Sequence, residues 1–393
     1  MKTSALEILT DGIQMGPNMK GVGRYVAQTL QHLSALDASF QYSVLVFQGT
    51  LTNLLPQNSN IRYITIPQRK NIWHWVWTLP LWVRRIRPDV VWFPYEIPLT
   101  LTNIPYVMVC HDIPKRIREA QKLGGNGTVS LKECLRGWID DTLMPKTLRK
   151  ADIVFSNSQY VGNWLEKEAG VEPSRIRHAP CAPGADFQRL SRNVDVERVW
   201  QELKTPNGYI LVFNTGDQRE NFKIVPRVFQ SILEGGLPHH LVIAGVHDNA
   251  RSLTETSLSR LPWFNRIRIV PFLGSGREQE LAKIYTAASV YLDPSLQEGF
   301  GMQVVEAMAC GTPVVCSNRG ALPEVAGEAA LLVDPENADQ IATAVIKVLS
   351  DSALSRQLRD HGYARAASFS WEKTAKVIYE GLLDVGRAWK QPK

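Results

Sequence analysis

Two glutamates, Glu298 and Glu306, stand eight positions apart, with Gly299-Phe300-Gly301 following the first of them. The run P-S-L-Q-E-G-F-G-M-Q-V-V-E-A-M-A-C-G-T-P fills residues 294–313. Ahead of it, A-S-V-Y-L-D over residues 288–293 reads as a buried strand, and from Gln303 to Ala309 the apolar spacing turns helical. The segment is therefore strand, glycine turn and helix start. A helix N-terminus presents unpaired backbone N–H groups and the positive end of the helix dipole, which suits a phosphate held in the turn. At about 3.6 residues per turn, eight positions span a little over two turns, but Glu298 precedes the helix. One carboxylate then lies at the turn and the other one helical face further in. Neither the spacing nor the residue types suit a metal site. Two acids beside a diphosphate are placed to accept hydrogen bonds from hydroxyls, as on a sugar and a ribose.

Three further segments could face the same ligand. G-P-N-M-K-G-V-G-R-Y over residues 16–25 follows a first strand and opens a helix, and Gly21 and Gly23 would let backbone approach a ligand closely. It is not a full dinucleotide fingerprint, because position 26 is Val where a glycine is needed. Cys110-His111-Asp112 ends a strand, which leaves His111 either a structural histidine or a ligand contact. N-T-G-D-Q-R-E-N-F-K over residues 214–223 follows the first strand of the second half and carries Arg219 and Lys223, cations suited to a diphosphate.

The run around Glu298 and Glu306 resembles the E-x7-E signature of retaining glycosyltransferases of family 4, which have the GT-B fold. Its surroundings match as well: Pro294 and Ser295 before it, E-A-M-A-C-G-T-P from Glu306, and L-P-E-V-A-G over residues 322–327. The resemblance spans nearly the whole chain and is densest over residues 272–334. It implies that Glu298 holds donor-sugar hydroxyls and Glu306 the ribose hydroxyls. The N–H groups of Gly299, Phe300, Gly301 and Met302, with Arg219 and Lys223, would then stabilise the leaving diphosphate. By the same resemblance Gly21 and Gly23 lie near the donor phosphates and the acceptor, with Lys20 and Arg24 close by, and His111 approaches the donor sugar. Phe272, Leu273 and Gly274 would border the base. Relatives often show P-R-K-N where this chain has Q-R-E-N, so Glu220 stands in place of a lysine, and an acid there should repel a diphosphate.

The elements that must position these groups follow from the pattern. Apolar runs alternate with helical segments along most of the length, which predicts an α/β chain of parallel sheets with crossover helices. Strands are expected at 7–9, 42–47, 90–93, 106–109 and 153–155, and again at 209–213, 241–244, 267–270, 290–292, 314–315 and 330–333. This reads as two Rossmann-like domains facing a cleft: residues 1–187 for the acceptor and 200–374 for the nucleotide sugar, joined by a linker at 188–199. A last helix, with Ser370 as N-cap, is expected to cross back at 375–393 onto the N-terminal domain.

Composition bounds the rest. A chain of 393 residues exceeds one ordinary core, and 44% apolar with 21% charged residues is usual for a globular protein. No apolar run approaches the roughly 20 residues of a membrane-spanning helix. The first residues carry Glu7 and Asp11 within their apolar part and read as a strand, not a signal peptide. Five cysteines without a C-x-x-C pair read as reduced cytoplasmic thiols. A net charge of +6 favours an anionic partner, but no basic ladder interleaved with aromatics points to nucleic acid. Residues 72–87, I-W-H-W-V-W-T-L-P-L-W-V-R-R-I-R, admit two readings: a membrane-surface helix, or a core-packing helix interrupted at Pro80 and ending in charge, which the pattern favours. Lys115 to Val129 reads as a loop that could cover an acceptor or could simply be solvated.

The expected activity is retaining, metal-independent transfer of a hexosyl group from a nucleotide-diphosphate sugar to a hydroxyl of a glycan or lipid-linked glycan, with no cofactor beyond the donor substrate. The expected place is the cytoplasm, with an anionic membrane surface as a candidate partner. Two alternatives stay open: a nucleotide-sugar-binding protein that has lost transfer, for which Glu220 is the motive, and a nucleotide-sugar epimerase on the same fold.

Overall fold

A computed structural model of the chain describes residues 5–16, 19, 21–50, 52–68, 73–98, 102–114, 119, 137, 139–184, 187, 194–274 and 276–390. Lys20, Cys134, all but Glu119 of the expected loop over 115–129, and half of the expected linker (188–193) lie outside these residues. The chain divides into two compact units. One comprises Met1–Lys115, Val129–Cys181 and Ser370–Lys393; the other carries Ala182–Phe369.

Among the described residues the first unit holds seven parallel strands: β1 (Glu7–Asp11), β2 (Gln41–Phe47), β3 (Ile61–Ile66), β4 (Val90–Phe93), β5 (Tyr106–Cys110), β6 (Ile153–Ser156) and β7 (Ile176–His178). Their order is β3-β2-β1-β4-β5-β6-β7. The second unit holds six: β8 (Tyr209–Phe213), β9 (His240–Val246), β10 (Ile267–Pro271), β11 (Val290–Asp293), β12 (Val314–Ser317) and β13 (Ala330–Val333). Their order is β10-β9-β8-β11-β12-β13. In both sheets the strand order reverses once, between β1 and β4 and between β8 and β11. In such sheets ligands bind where the carboxyl ends of the strands flank that reversal. The strands are near-continuous apolar runs because helices cover both faces of a parallel sheet. β4, β5, β6 and β9 are buried at every position.

Every strand expected from the sequence is present. β3 and β7 are additional. β3 reads I-R-Y-I-T-I and keeps only Ile66 buried, because it is an edge strand with one neighbour, so it shows no apolar run. β7 has three residues, all half-buried.

In the first unit α1 (Gly21–Leu36) follows β1. Between β3 and β4 lie a π-helical turn, His74–Thr78, and then α2 (Leu79–Ile86). Leu79 N–H donates to the His74 carbonyl, which closes the wider turn, and Pro80 falls in the first turn of α2. A proline there forgoes an N–H that the start of a helix leaves unpaired anyway, so the chain continues through it. His74, Leu79 and Val83 are buried, and Trp75, Trp82 and Ile86 pack half-buried against the core of the first unit. The inner side is the core-packing helix that the pattern favours, while Trp73, Trp77 and Leu81 stay exposed.

The last helix runs over Trp371–Lys390, longer at its start than expected. The Ser370 hydroxyl accepts from Lys373 N–H at 3.4 Å, as a cap does. The helix lies on α1 and on β4, β5 and β6 of the first unit. Tyr379 donates its hydroxyl to Asp37 Oδ2 at 2.9 Å, and Lys390 reaches Asp89 at 2.9 Å. Two glycines make the close approach possible: a Cβ on Gly381 would lie 2.6 Å from Phe155 Cζ, and one on Gly386 would lie 2.5 Å from Leu6 Cδ1. Gly381→Leu must therefore lift the helix from β6. The expected cost is about 1–3 kcal/mol, read as a melting temperature lower by several degrees, and an unchanged melting temperature would refute the packing.

Candidate active site

In the second unit the loops after β8 and β11 meet at the strand-order reversal. Leu296 N–H donates to the Arg219 carbonyl at 2.7 Å. Asn221, buried and in the left-handed conformation at φ 52°, donates its side-chain amide to the Pro294 carbonyl at 3.2 Å and to the Pro335 carbonyl at 2.7 Å. Asparagine tolerates that backbone better than most residues, and two amide hydrogens can serve two carbonyls at once. One residue thus ties together the loops that follow β8, β11 and β13.

Glu298 stands in the loop this clamp holds, half-buried. Its carbonyl accepts from Ala321 N–H at 2.9 Å, and a Cβ on Gly320 would come within 2.6 Å of the same oxygen, so only glycine fits at 320. Gly301, at φ 93°, is the N-cap of α3 (Met302–Ala309). A Cβ on Gly301 would meet Leu322 Cδ2 at 2.3 Å. No side chain caps α3, and its first turn holds no acid. Phe300 is buried edge-to-face against Phe369, ring centroids 5.4 Å apart. The expected strand, glycine turn and helix start are all present, with Gly299 to Met302 at the helix N-terminus. Glu306 lies in the helix proper, is buried, and accepts the Tyr285 hydroxyl at 3.1 Å.

Arg219 is half-buried and bound back to its own loop. Its backbone N–H donates to Asp217 Oδ1 at 2.9 Å, and Nε and Nη2 each reach Asp217 Oδ2 at 3.0 Å. Lys223 lies in a short 3-10 turn and is exposed.

Glu220 does not present its carboxylate as a repelling acid at the loop surface. Oε2 accepts Thr215 N–H at 2.7 Å, and Oε1 pairs with the Thr215 hydroxyl at 2.7 Å. The side chain closes its own loop, a job a lysine could not do. Burial pushes the carboxyl up to about 7; the two bonds from Thr215 oppose the shift, and Asp217 and Asp293 add to it. Asp293, which the sequence reading passed over as the end of a strand, is also buried and raised by burial, and it accepts the Ser295 and Tyr291 hydroxyls at 2.5 and 3.1 Å. Glu220, Tyr291, Asp293, Ser295, Glu298 and Gln303 line one small cavity of about 10 Å³, room for a single water. Among the described residues no three His, Cys, Asp or Glu side chains gather to hold a metal.

In the first unit, Gly21 opens α1 and Gly23 lies in its first turn. A Cβ on Gly23 would come 2.3 Å from the Gln14 carbonyl, so this glycine is required by packing of the preceding loop. Tyr25 beside it is fully buried, donates to the Ala179 carbonyl at 3.2 Å, and sits edge-on to His111 and Trp371. His111 is buried, with Nε2 2.8 Å from the Pro94 carbonyl. A carbonyl only accepts, so Nε2 carries the hydrogen and a ligand could use only Nδ1. Glu96 Oε1 accepts the backbone N–H of both His111 and Asp112, the latter at 2.8 Å. The Asn157 amide donates to the His111 carbonyl at 2.9 Å. Glu96 was not visible as a site residue because only the pairing of β4 with β5 brings residue 96 to residue 111. The described cysteines, Cys110, Cys181, Cys310 and Cys316, are buried and not disulfide-bonded, and burial pushes their thiols up.

The family described as Glycosyltransferase Family 4 matches residues 19–182, and that described as Glycosyl transferases group 1 matches residues 195–365. The chain belongs to the family 4 glycosyltransferases. It is similar to a serotype-specific mannosyltransferase, WbdA, of Escherichia coli, 25% identical over 76% of this chain and 37% of that one. It is also similar to an O-antigen chain mannosyltransferase B of Escherichia coli, 34% identical over 42% of this chain and 43% of that one. The chain spans less than half the length of these relatives. Among solved structures, an Anabaena protein, HepE, in complex with UDP-glucose superposes with a TM-score of 0.70 at 16% identity, covering 96% of this chain and 99% of that one. That likeness shows the fold, GT-B.

The pH dependence of stability reports on Glu220. A carboxyl held near 7 when folded, against about 4.5 ordinarily, favours the folded state while it keeps its proton. The contribution is full below about pH 4.5 and is lost as the pH rises to about 7. Glu220→Gln keeps both bonds to Thr215 without a charge. The melting temperature of the parent should therefore fall relative to the variant between pH 5 and 8; parallel curves would show that Glu220 does not titrate there.

Proposed function

We propose that this chain is a retaining, metal-independent hexosyltransferase. It would move a sugar from a nucleotide-diphosphate donor to a hydroxyl of a glycan or lipid-linked glycan acceptor in polysaccharide synthesis. The observation that carries the reading is the Glu298 turn, where half-buried Glu298 and an uncapped helix N-terminus stand on a loop pinned by Asn221 at the reversal of the second sheet, with Lys223 two residues beyond Asn221. Family membership, the O-antigen relative and the fold shared with a protein solved with UDP-glucose support it.

In this reading the second unit handles the donor and the first the acceptor. The diphosphate lies over the N–H groups of Gly299 to Met302, where the helix dipole opposes its charge. Charge grows on the leaving oxygen as the bond to the sugar breaks, and fixed dipoles aimed there lower the barrier without reorganising. Lys223 adds a positive charge, and Arg219 joins it by turning from Asp217. Glu298 accepts from sugar hydroxyls. Glu306 takes the ribose hydroxyls, giving up part of its bond with Tyr285. His111 contributes through Nδ1 alone. No cofactor beyond the donor is required.

The alternative of donor binding without transfer drew on Glu220. The carboxyl turned onto Thr215 weakens that motive, although the expected lysine is still absent. Incubation with a panel of nucleotide sugars should release nucleoside diphosphate from at least one, unaffected by EDTA. Glu298→Gln should lower the rate by about 100-fold or more, while the fold stays intact by circular dichroism. Full activity in Glu298→Gln would sink the site assignment, binding without release would favour the inactive reading, and loss of activity in EDTA would refute metal independence.

A further inference from the structure

The segment between β3 and β4 has an exposed outer face that carries none of the site residues described above. Trp73, Trp77 and Leu81 are 53%, 62% and 59% exposed, three of the largest apolar exposures among the described residues. They recur every fourth residue. In the π turn four residues fall slightly short of a full turn, and in α2 they slightly exceed it, so the three side chains stay on one stripe. The opposite face, His74, Leu79 and Val83, is buried, which fixes the segment against the sheet and commits the stripe to the outside. His74 anchors it, with Nε2 3.0 Å from Asp11 Oδ2, both groups fully buried. Exposed tryptophans in a row are uncommon on a soluble surface and mark an interaction site.

Charge says what kind of partner. The stripe runs into Arg84, Arg85 and Arg87, all exposed, with no acid anywhere from Trp73 to Arg87. The guanidinium of Arg85 lies 5.1 Å over the Trp82 ring, which holds one cation beside the apolar stripe. Tryptophan prefers the boundary between headgroups and acyl chains, and arginine the anionic headgroups just outside it. Among the described residues no helix is long and apolar enough to span a bilayer, so contact would be made at its surface.

We propose that the face formed by Trp73, Trp77 and Leu81, with Arg84, Arg85 and Arg87, docks the chain on an anionic lipid bilayer, the indoles entering the interface and the guanidinium groups meeting lipid phosphates. The inference stands on this surface alone and not on the transfer reaction.

Co-sedimentation of the full chain with phosphatidylcholine vesicles, with and without about 30% phosphatidylglycerol, tests it. Binding is expected with the anionic vesicles only and should weaken in high salt. The triple variant Trp73→Ser, Trp77→Ser, Leu81→Ser and the double variant Arg84→Ala, Arg85→Ala should each lower the bound fraction at least tenfold, with melting temperatures near the parent's. In the parent, lipids brominated on the acyl chain should quench tryptophan emission, and the triple variant should lose that quenching. No binding by the parent, or equal binding by both variants, would overturn the proposal. If instead the parent dimerises in sedimentation velocity, ignores vesicles, and becomes monomeric in the triple variant, the face is a contact between copies and the proposal is wrong.

Discussion

The candidate site depends on one amide. Asn221 donates to the carbonyls of Pro294 and Pro335, and by doing so it joins the loops after three strands of the second sheet. Loops at the carboxyl ends of parallel strands have no ladder to hold them, and backbone carbonyls buried among them need donors. A buried asparagine with φ 52° meets that need at the point where the strand order reverses. The Leu296 N–H to Arg219 carbonyl bond adds a second stitch. Everything proposed for Glu298 assumes a turn kept in place by these bonds, because an oriented carboxylate or N–H group helps a reaction only when it need not move to do so.

Glu220 shows how a local conflict can be resolved within the fold. In sequence it is an acid where the family resemblance leads one to expect a base. In the structure its side chain folds back to close the Asn214–Glu220 loop through Thr215, and burial holds its carboxyl near 7. Near neutral pH a large fraction of that group carries a proton, so its negative charge is reduced where a diphosphate would come. Arg219 behaves in the opposite sense. Its guanidinium, read from the sequence as available to phosphate, is bound to Asp217 two residues away. Such a pair can be traded for a phosphate at modest net cost, since one charge-assisted contact replaces another.

The fold was legible because its signals are strong and redundant. Buried parallel strands are apolar runs, and the runs at 42–47, 209–213 and 290–292 could be read directly. The edge strand β3 could not, since one free edge and a half-exposed face dilute the pattern with Arg62 and Thr65. The turn at Glu298 was legible because glycines mark conformations other residues avoid. Gly301 at φ 93° and Gly320 against the Glu298 backbone bear this out. What could not be read were side-chain directions: Glu220 turning inward, His111 giving Nε2 to Pro94, Glu306 buried against Tyr285. These follow from contacts between segments distant in sequence. Pro80 misled for a related reason, because a proline at the start of a new helical turn continues the chain where one in mid-helix would stop it.

The central claim is that donor chemistry occurs at the Glu298 turn with retention at the anomeric carbon. Proton NMR on the sugar released to water from the nucleotide sugar that the enzyme turns over tests it most directly, with spectra taken before mutarotation. The account predicts that the first anomer to appear has the configuration of the donor; first appearance of the opposite anomer would contradict it.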